Sequence, residues 1–153
     1  MALSNGAMLK AISEDRALGS ALVFPHRHPQ ASPKFHVEIM DLWRSHDENV
    51  LIEAFREGAK STLSEEFLLL EACFGNFGYC ILLGETYTKA CQRLEAIKHE
   101  AVKNMKILAL FGKIELPGNV WNENQIELMN GVMIEAHGWE EERSEEHTSE
   151  LQS

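Results

Sequence analysis

The sequence predicts an α/β domain in which helices flank a parallel sheet, and three observations carry that expectation. Short apolar, β-branched runs alternate with amphipathic stretches of helical period, the strand, helix, strand, helix order of a parallel sheet with crossover connections. The run at 50–54 leads through a glycine-containing loop into Lys60-Ser61 and then into a helical pattern, the layout of a phosphate-binding loop. The 153 residues, 44% apolar and 25% charged, suffice for one compact core and exclude collagen-like, low-complexity and wholly disordered classes.

Along the chain, Met8, Leu9, Ile12 and Leu18 recur at near-helical spacing before Gly19, so a short helix is expected over 7–18. The stretch 26–33 holds two prolines, which disfavours helix until Phe35, Ile39, Leu42 and Trp43 restart the 3.6-residue stripe over 35–45. After the polar turn 46–49, the run Val50-Leu-Ile-Glu-Ala54 reads as a buried strand and 55–59 as its loop. A helix over 61–73 turns Leu63, Phe67, Leu70 and Ala72 inward and stops at the glycine-rich 75–78. A second apolar strand at 79–83 comes next, then one long helix over 88–110 with Ala90, Leu94, Ile97, Ala101 and Met105 inward, closed by Gly112. Finally, Asn130-Gly131 between alternating segments at 125–129 and 132–136 predicts a β-hairpin.

Charge and cysteine usage narrow the function classes. With 14 Lys+Arg against 24 Asp+Glu the net charge is −10, which argues against a protein that coats nucleic acid nonspecifically, although a local basic groove remains open. Cys73, Cys80 and Cys91 make neither a CxxC pair nor an even set, so reduced core thiols are expected. No apolar run approaches the roughly 20 residues of a membrane-spanning helix, and the start lacks the pattern of a secretion signal, so a cytoplasmic location is expected. His26, His28 and His36 have no Cys or carboxylate at ligand spacing and read as solvated histidines. Glu14, Asp15 and Glu85 read as surface charges, and Ser61 with His99 is not a nucleophile arrangement that the sequence supports.

The loop chemistry follows from its residue types. Backbone N–H groups of Arg56, Glu57, Gly58, Ala59, Lys60, Ser61 and Thr62 would face bound phosphates, with the helix dipole adding positive potential. Lys60 would reach the outer phosphates as a point charge and the Ser61 hydroxyl would sit on Mg²⁺. The pattern departs from the usual one: Ala54 and Ala59 stand where glycines are expected, and Gly58 lies one residue early. The alternative is an ordinary strand-to-helix turn with Lys60 solvated.

The segments Phe35-His-x-Glu-Ile, 50–63 and 81–98, with Asn104 through Gly112, Trp121 and the hairpin 126–138, together resemble the ATPase domain of the large terminase subunit of tailed bacteriophages. The resemblance runs from about 32 to 139 and rests on several motifs in order. It implies a P-loop NTPase of RecA-like type, with a parallel sheet and flanking helices, that couples hydrolysis of ATP with Mg²⁺ to translocation of viral DNA into the capsid. By position it makes Lys60 the phosphate lysine and Ser61 the metal ligand, with Arg56 the loop arginine that senses the γ-phosphate. Gln30 lies where an adenine-side glutamine often stands, across a loose alignment. The implied partners are double-stranded viral DNA, the portal protein and the small terminase subunit. The parent is expected to be a homo-oligomer in the cytoplasm of the infected host, transiently at the procapsid portal.

Residues 143–153 have one leucine and no apolar periodicity, so they read as an unstructured tail. They also resemble, residue for residue, the translation of a common short-read sequencing adapter, and are set aside from fold reasoning. The expected organisation is an N-terminal helix and loop at 1–34, a truncated ATPase domain at 35–142 and that tail. The acidic strand motif and the nuclease domain would lie past the interruption, so no turnover is expected of this chain. Two alternatives stand beside this reading: a non-functional ATPase-like fragment that binds no nucleotide, and a helicase-like or partition P-loop ATPase.

Overall fold

A computed structural model describes residues 4–45, 49–53, 59–116 and 118–139; the expected tail at 143–153 lies outside them. In chain order they form α1 (Asn5–Glu14), α2 (Arg16–Val23), a 3₁₀ turn (Pro25–Arg27), α3 (Lys34–Arg44), α4 (Lys60–Phe74), β1 (Tyr79–Gly84), α5 (Tyr87–Lys103), α6 (Met105–Phe111), β2 (Gln125–Glu127) and β3 (Met133–Gly138). None of these helices is long and apolar enough to cross a membrane.

The sheet corrects the expected fold class. The described residues are mostly helical, with one three-stranded mixed sheet in the order β1-β3-β2. β1 runs parallel to β3 from Tyr79 opposite Met133 to Gly84 opposite Gly138, whereas β2 runs antiparallel to β3 with Ile126 opposite Ile134. Among the described residues the RecA-like parallel sheet is not formed. Of its expected first strand, Ala54 lies outside the described residues, and 50–53 pair with no strand among the described residues, with Leu51 87% exposed. An apolar run that short satisfies strand and coil equally until a neighbour offers its backbone a ladder, and here none does. Accordingly α4 packs against α2, α3 and α5 instead of crossing over between strands.

Local capping explains two further differences. The N-terminal helix breaks at Asp15, whose carboxylate accepts the Leu18 N–H at 2.9 Å and so starts α2. Asp15 is therefore a helix cap, not simply a surface charge. Gly19 does not stop the helix; a Cβ there would lie 2.8 Å from Ile12 Cγ2, so it lets α2 pack closely on α1. The long helix over 88–110 likewise breaks at Asn104, whose side chain accepts from Lys106 N and Ile107 N and starts α6. That break turns Met105 outward, to 71% exposure.

Other expectations hold. Strand 79–83 and the Asn130-Gly131 hairpin form, with Leu128 N donating to Val132 O at 2.8 Å and Gly131 left-handed. Gly75 ends α4 in a left-handed cap. In the main core cluster, Ile12, Val23 and Phe24 from the N-terminal segment meet Leu69 and Leu70 of α4, Ala90, Leu94 and Ile97 of α5, and Ile126, Ile134 and Ala136 of the sheet. A second, smaller cluster joins Ala17, Met40 and Leu63 of α2, α3 and α4. The N-terminal helices thus share the main core with α4, α5 and the sheet. All three cysteines are free, and Cys91 is buried.

Candidate functional site

The sequence-predicted phosphate residues divide between described and undescribed parts of the chain. Ala59, Lys60, Ser61 and Thr62 are described; Arg56, Glu57 and Gly58 lie outside the described residues. Ala59 sits in the left-handed region at φ 55°, the one non-glycine with positive φ among the described residues, and Lys60 opens α4 directly after it. An alanine there costs on the order of 1–2 kcal/mol, which a glycine would not. The turn aims the start of α4 into a cavity of about 250 Å³ lined by Trp43, Val50, Ile52, Lys60, Ser61, Ser64 and Arg93.

Among the described residues this helix start has no side-chain cap, and its ladder begins with Leu63 N donating to Ala59 O at 2.9 Å. The N–H groups of residues 60–62 precede that ladder, and with the helix dipole they make the end electropositive. Lys60 adds one cation. Arg93, from α5, adds a second and donates from Nη2 to Ser61 Oγ at 3.2 Å. The sequence did not single out Arg93, because nothing in its spacing links residue 93 to residue 61 before α4 and α5 pack together.

The cavity's chemistry suits an anion better than a bare metal. The Ser61 and Ser64 hydroxyls are the side-chain oxygens among its described lining residues, and no carboxylate joins them. Mg²⁺ requires near-octahedral oxygen ligands and commonly arrives with substrate phosphates, so Ser61 fits it only as one ligand of a magnesium–polyphosphate complex. Among the described residues no group of three or more His, Cys, Asp or Glu side chains is arranged to hold a metal.

A second polar assembly lies one to three turns further along α4. Glu66 is fully buried; its Oε2 receives the Ser20 hydroxyl and lies 2.8 Å from His28 Nε2. Arg27 reaches Glu65 at 3.3 Å and Glu100 at 3.1 Å, while His26 Nε2 lies 2.7 Å from Glu100 Oε1. Asn104 Nδ2 donates to Glu100 Oε2 and to Val23 O, each at 2.9 Å. Arg16 and Glu71 form a buried pair at 2.5 Å. His28 is therefore a carboxylate partner with its side chain only 10% exposed, not a solvated histidine, whereas His26 pairs with Glu100 and still leaves 54% of its side chain in solvent. The available signal was a carboxylate on an apolar helix face: Glu66 and Glu71 fall among Leu63, Leu69 and Leu70, and charged side chains are seldom buried without a partner.

Burial and pairing pull the carboxyls of this assembly in different directions. Burial pushes the Glu65 carboxyl above its usual range despite the attraction of Arg27 and Arg93. Burial acts on Glu100 in the same direction, but hydrogen bonds from His26 and Asn104 and the charge of Arg27 outweigh it and hold that carboxyl below the usual range. Since Arg27 is also close to the ring of Phe24, the whole assembly ties the N-terminal segment to α4 and α5. Most of its charges are paired within the assembly, as in a structural network; Glu66 Oε1 is buried without a hydrogen-bond partner among the described residues, 3.9 Å from Arg27 Nη1, and a cavity of about 270 Å³ opens beside His26, Glu100 and Asn104.

No protein-family model, curated protein or solved structure matches this chain.

Proposed function

We propose that the start of α4 binds the phosphate groups of a nucleotide, and that the chain derives from the ATPase part of a phage DNA-packaging motor, the large terminase subunit. The observation that carries this reading is the convergence of Lys60, Ser61 and Arg93 with an uncapped helix start on one cavity, at the position where the motif order of the sequence expects phosphates. ATP with Mg²⁺ is the ligand, and viral DNA, the portal protein and the small terminase subunit are the partners of the parent assembly. In this reading Lys60 neutralises phosphate charge and Arg56 serves the γ-phosphate. Hydrolysis is not assigned to this chain, because the described residues around the cavity include no carboxylate to activate water.

One observation favours a second reading. Among the described residues, 50–53 join no strand and Ala59 holds a left-handed turn, so no described strand frames the phosphate loop on that side. On that reading the chain is an ATPase-like fragment that binds no nucleotide. Titration calorimetry of the purified chain with ATP and Mg²⁺ separates the two. Binding that is lost in Lys60→Ala supports the nucleotide site; absence of binding to the unaltered chain selects the fragment.

A further inference from the structure

We infer that Arg93 on α5 is a second phosphate-contacting cation of this cavity and makes it select polyphosphates over a monophosphate; the inference rests on the nucleotide reading above. Arg93 belongs to a different element from Lys60 and Ser61, and that element is held independently of the loop. Ala90, Leu94 and Ile97, on either side of it in the sequence, are 0%, 0% and 1% exposed, which anchors α5 in the core and fixes the origin of the Arg93 side chain. From that anchor the guanidinium reaches across to α4 and lines the same cavity as Lys60.

What Arg93 touches there suits exchange for a ligand. Its described hydrogen bond, 3.2 Å to the neutral Ser61 hydroxyl, uses Nη2 alone of a group with five N–H donors. Glu65, one turn along α4, feels the charge of Arg93 but is hydrogen-bonded by Arg27 at 3.3 Å. A phosphate oxygen in the cavity is a stronger acceptor than a hydroxyl, and a guanidinium meets two such oxygens in one plane. Moving Arg93 onto phosphate also releases Ser61 Oγ for a magnesium ion brought by the nucleotide. A single phosphate is satisfied by the helix start and Lys60. The second cation gains its attraction only when a second or third phosphate extends toward α5.

The test uses the full chain, with affinities for ATP and AMP measured by calorimetry in the presence of Mg²⁺ for the unaltered protein, Arg93→Gln, Arg93→Lys and Lys60→Ala. Circular dichroism melting of each variant checks that it is folded. Arg93→Gln is expected to weaken ATP about 10- to 100-fold, the loss of one charge-assisted contact, while AMP changes far less. Arg93→Lys should recover part of the ATP affinity, since it keeps the charge and loses the planar fork. If Arg93→Gln binds ATP normally while Lys60→Ala does not, the role of Arg93 is overturned and the nucleotide site stands. Equal losses for ATP and AMP in Arg93→Gln would overturn the selectivity. If the unaltered chain binds neither nucleotide, the site itself is overturned and the role of Arg93 with it.

Discussion

Glu71→Leu should be among the most damaging single substitutions in this protein, and Arg16→Met/Glu71→Leu should largely repair it. The two side chains meet at 2.5 Å and are 3% and 4% exposed. Arg16 also donates to Ile12 O and lies 4.6 Å from the centre of the Phe74 ring, and Glu71 accepts from Asn76 Nδ2 at 2.8 Å. Leucine at position 71 leaves the Arg16 guanidinium buried opposite an apolar group, which costs about 3–5 kcal/mol. For a domain of this size each kcal/mol moves the melting temperature by roughly 2–4 °C, so the single variant should melt on the order of 10 °C lower. Replacing both residues removes the stranded charge, restores apolar contact between α2 and α4, and brings stability to within about 1–2 kcal/mol of the unaltered chain. Urea denaturation of the four proteins in the cycle gives the coupling energy directly. A loss below about 1 kcal/mol for Glu71→Leu, or a double variant as unstable as the single one, would refute the argument that a desolvated charge dominates this contact.

Acidity, backbone approach and thiol chemistry offer further tests. Because the folded Glu100 carboxyl lies below its usual range, its contribution is present above the unfolded value and is lost as pH falls through the folded one. Glu100→Gln should therefore lower stability at neutral pH and do so less in acid, read from urea midpoints across pH. Glu65 has the opposite sign: its folded carboxyl is raised, so stability from this group is present at low pH and lost as pH rises, and Glu65→Gln should stabilise near neutrality with the gain vanishing in acid. Gly84 and Gly138 are register partners beneath the start of α5, and a Cβ at Gly138 would lie 2.3 Å from Tyr87 N; Gly138→Ala should cost about 1–3 kcal/mol, checked by thermal melting. Burial pushes the Cys73 thiol up to about 12, so in the folded protein it should react with a thiol reagent far more slowly than in denaturant, as followed by mass spectrometry of the labelled peptide.

Local rules determined much of this protein from its sequence. The α4 helix stops at Gly75 because a left-handed residue is needed there, the hairpin turns at Asn130-Gly131 for the same reason, and the inward stripe Ala90, Leu94, Ile97 follows from helical period alone. The position of Lys60 and Ser61 at a helix start was equally legible, being a matter of adjacent residues. Features that depend on a distant partner were left to the tertiary structure. Residues 50–53 have strand-like composition, yet a strand exists only where another backbone completes its ladder, and the three-stranded sheet leaves them unpaired. Asn104 ends one helix and caps the next while bonding Val23 O, a contact across 81 residues that no local pattern encodes. Arg93 meets Ser61, and His28 meets Glu66, only because helix packing brings their elements together. Periodicity tells which face of a helix turns inward, but it carries no information on which charged group waits there, so the ionic network and the second cation at the start of α4 became visible only with the fold.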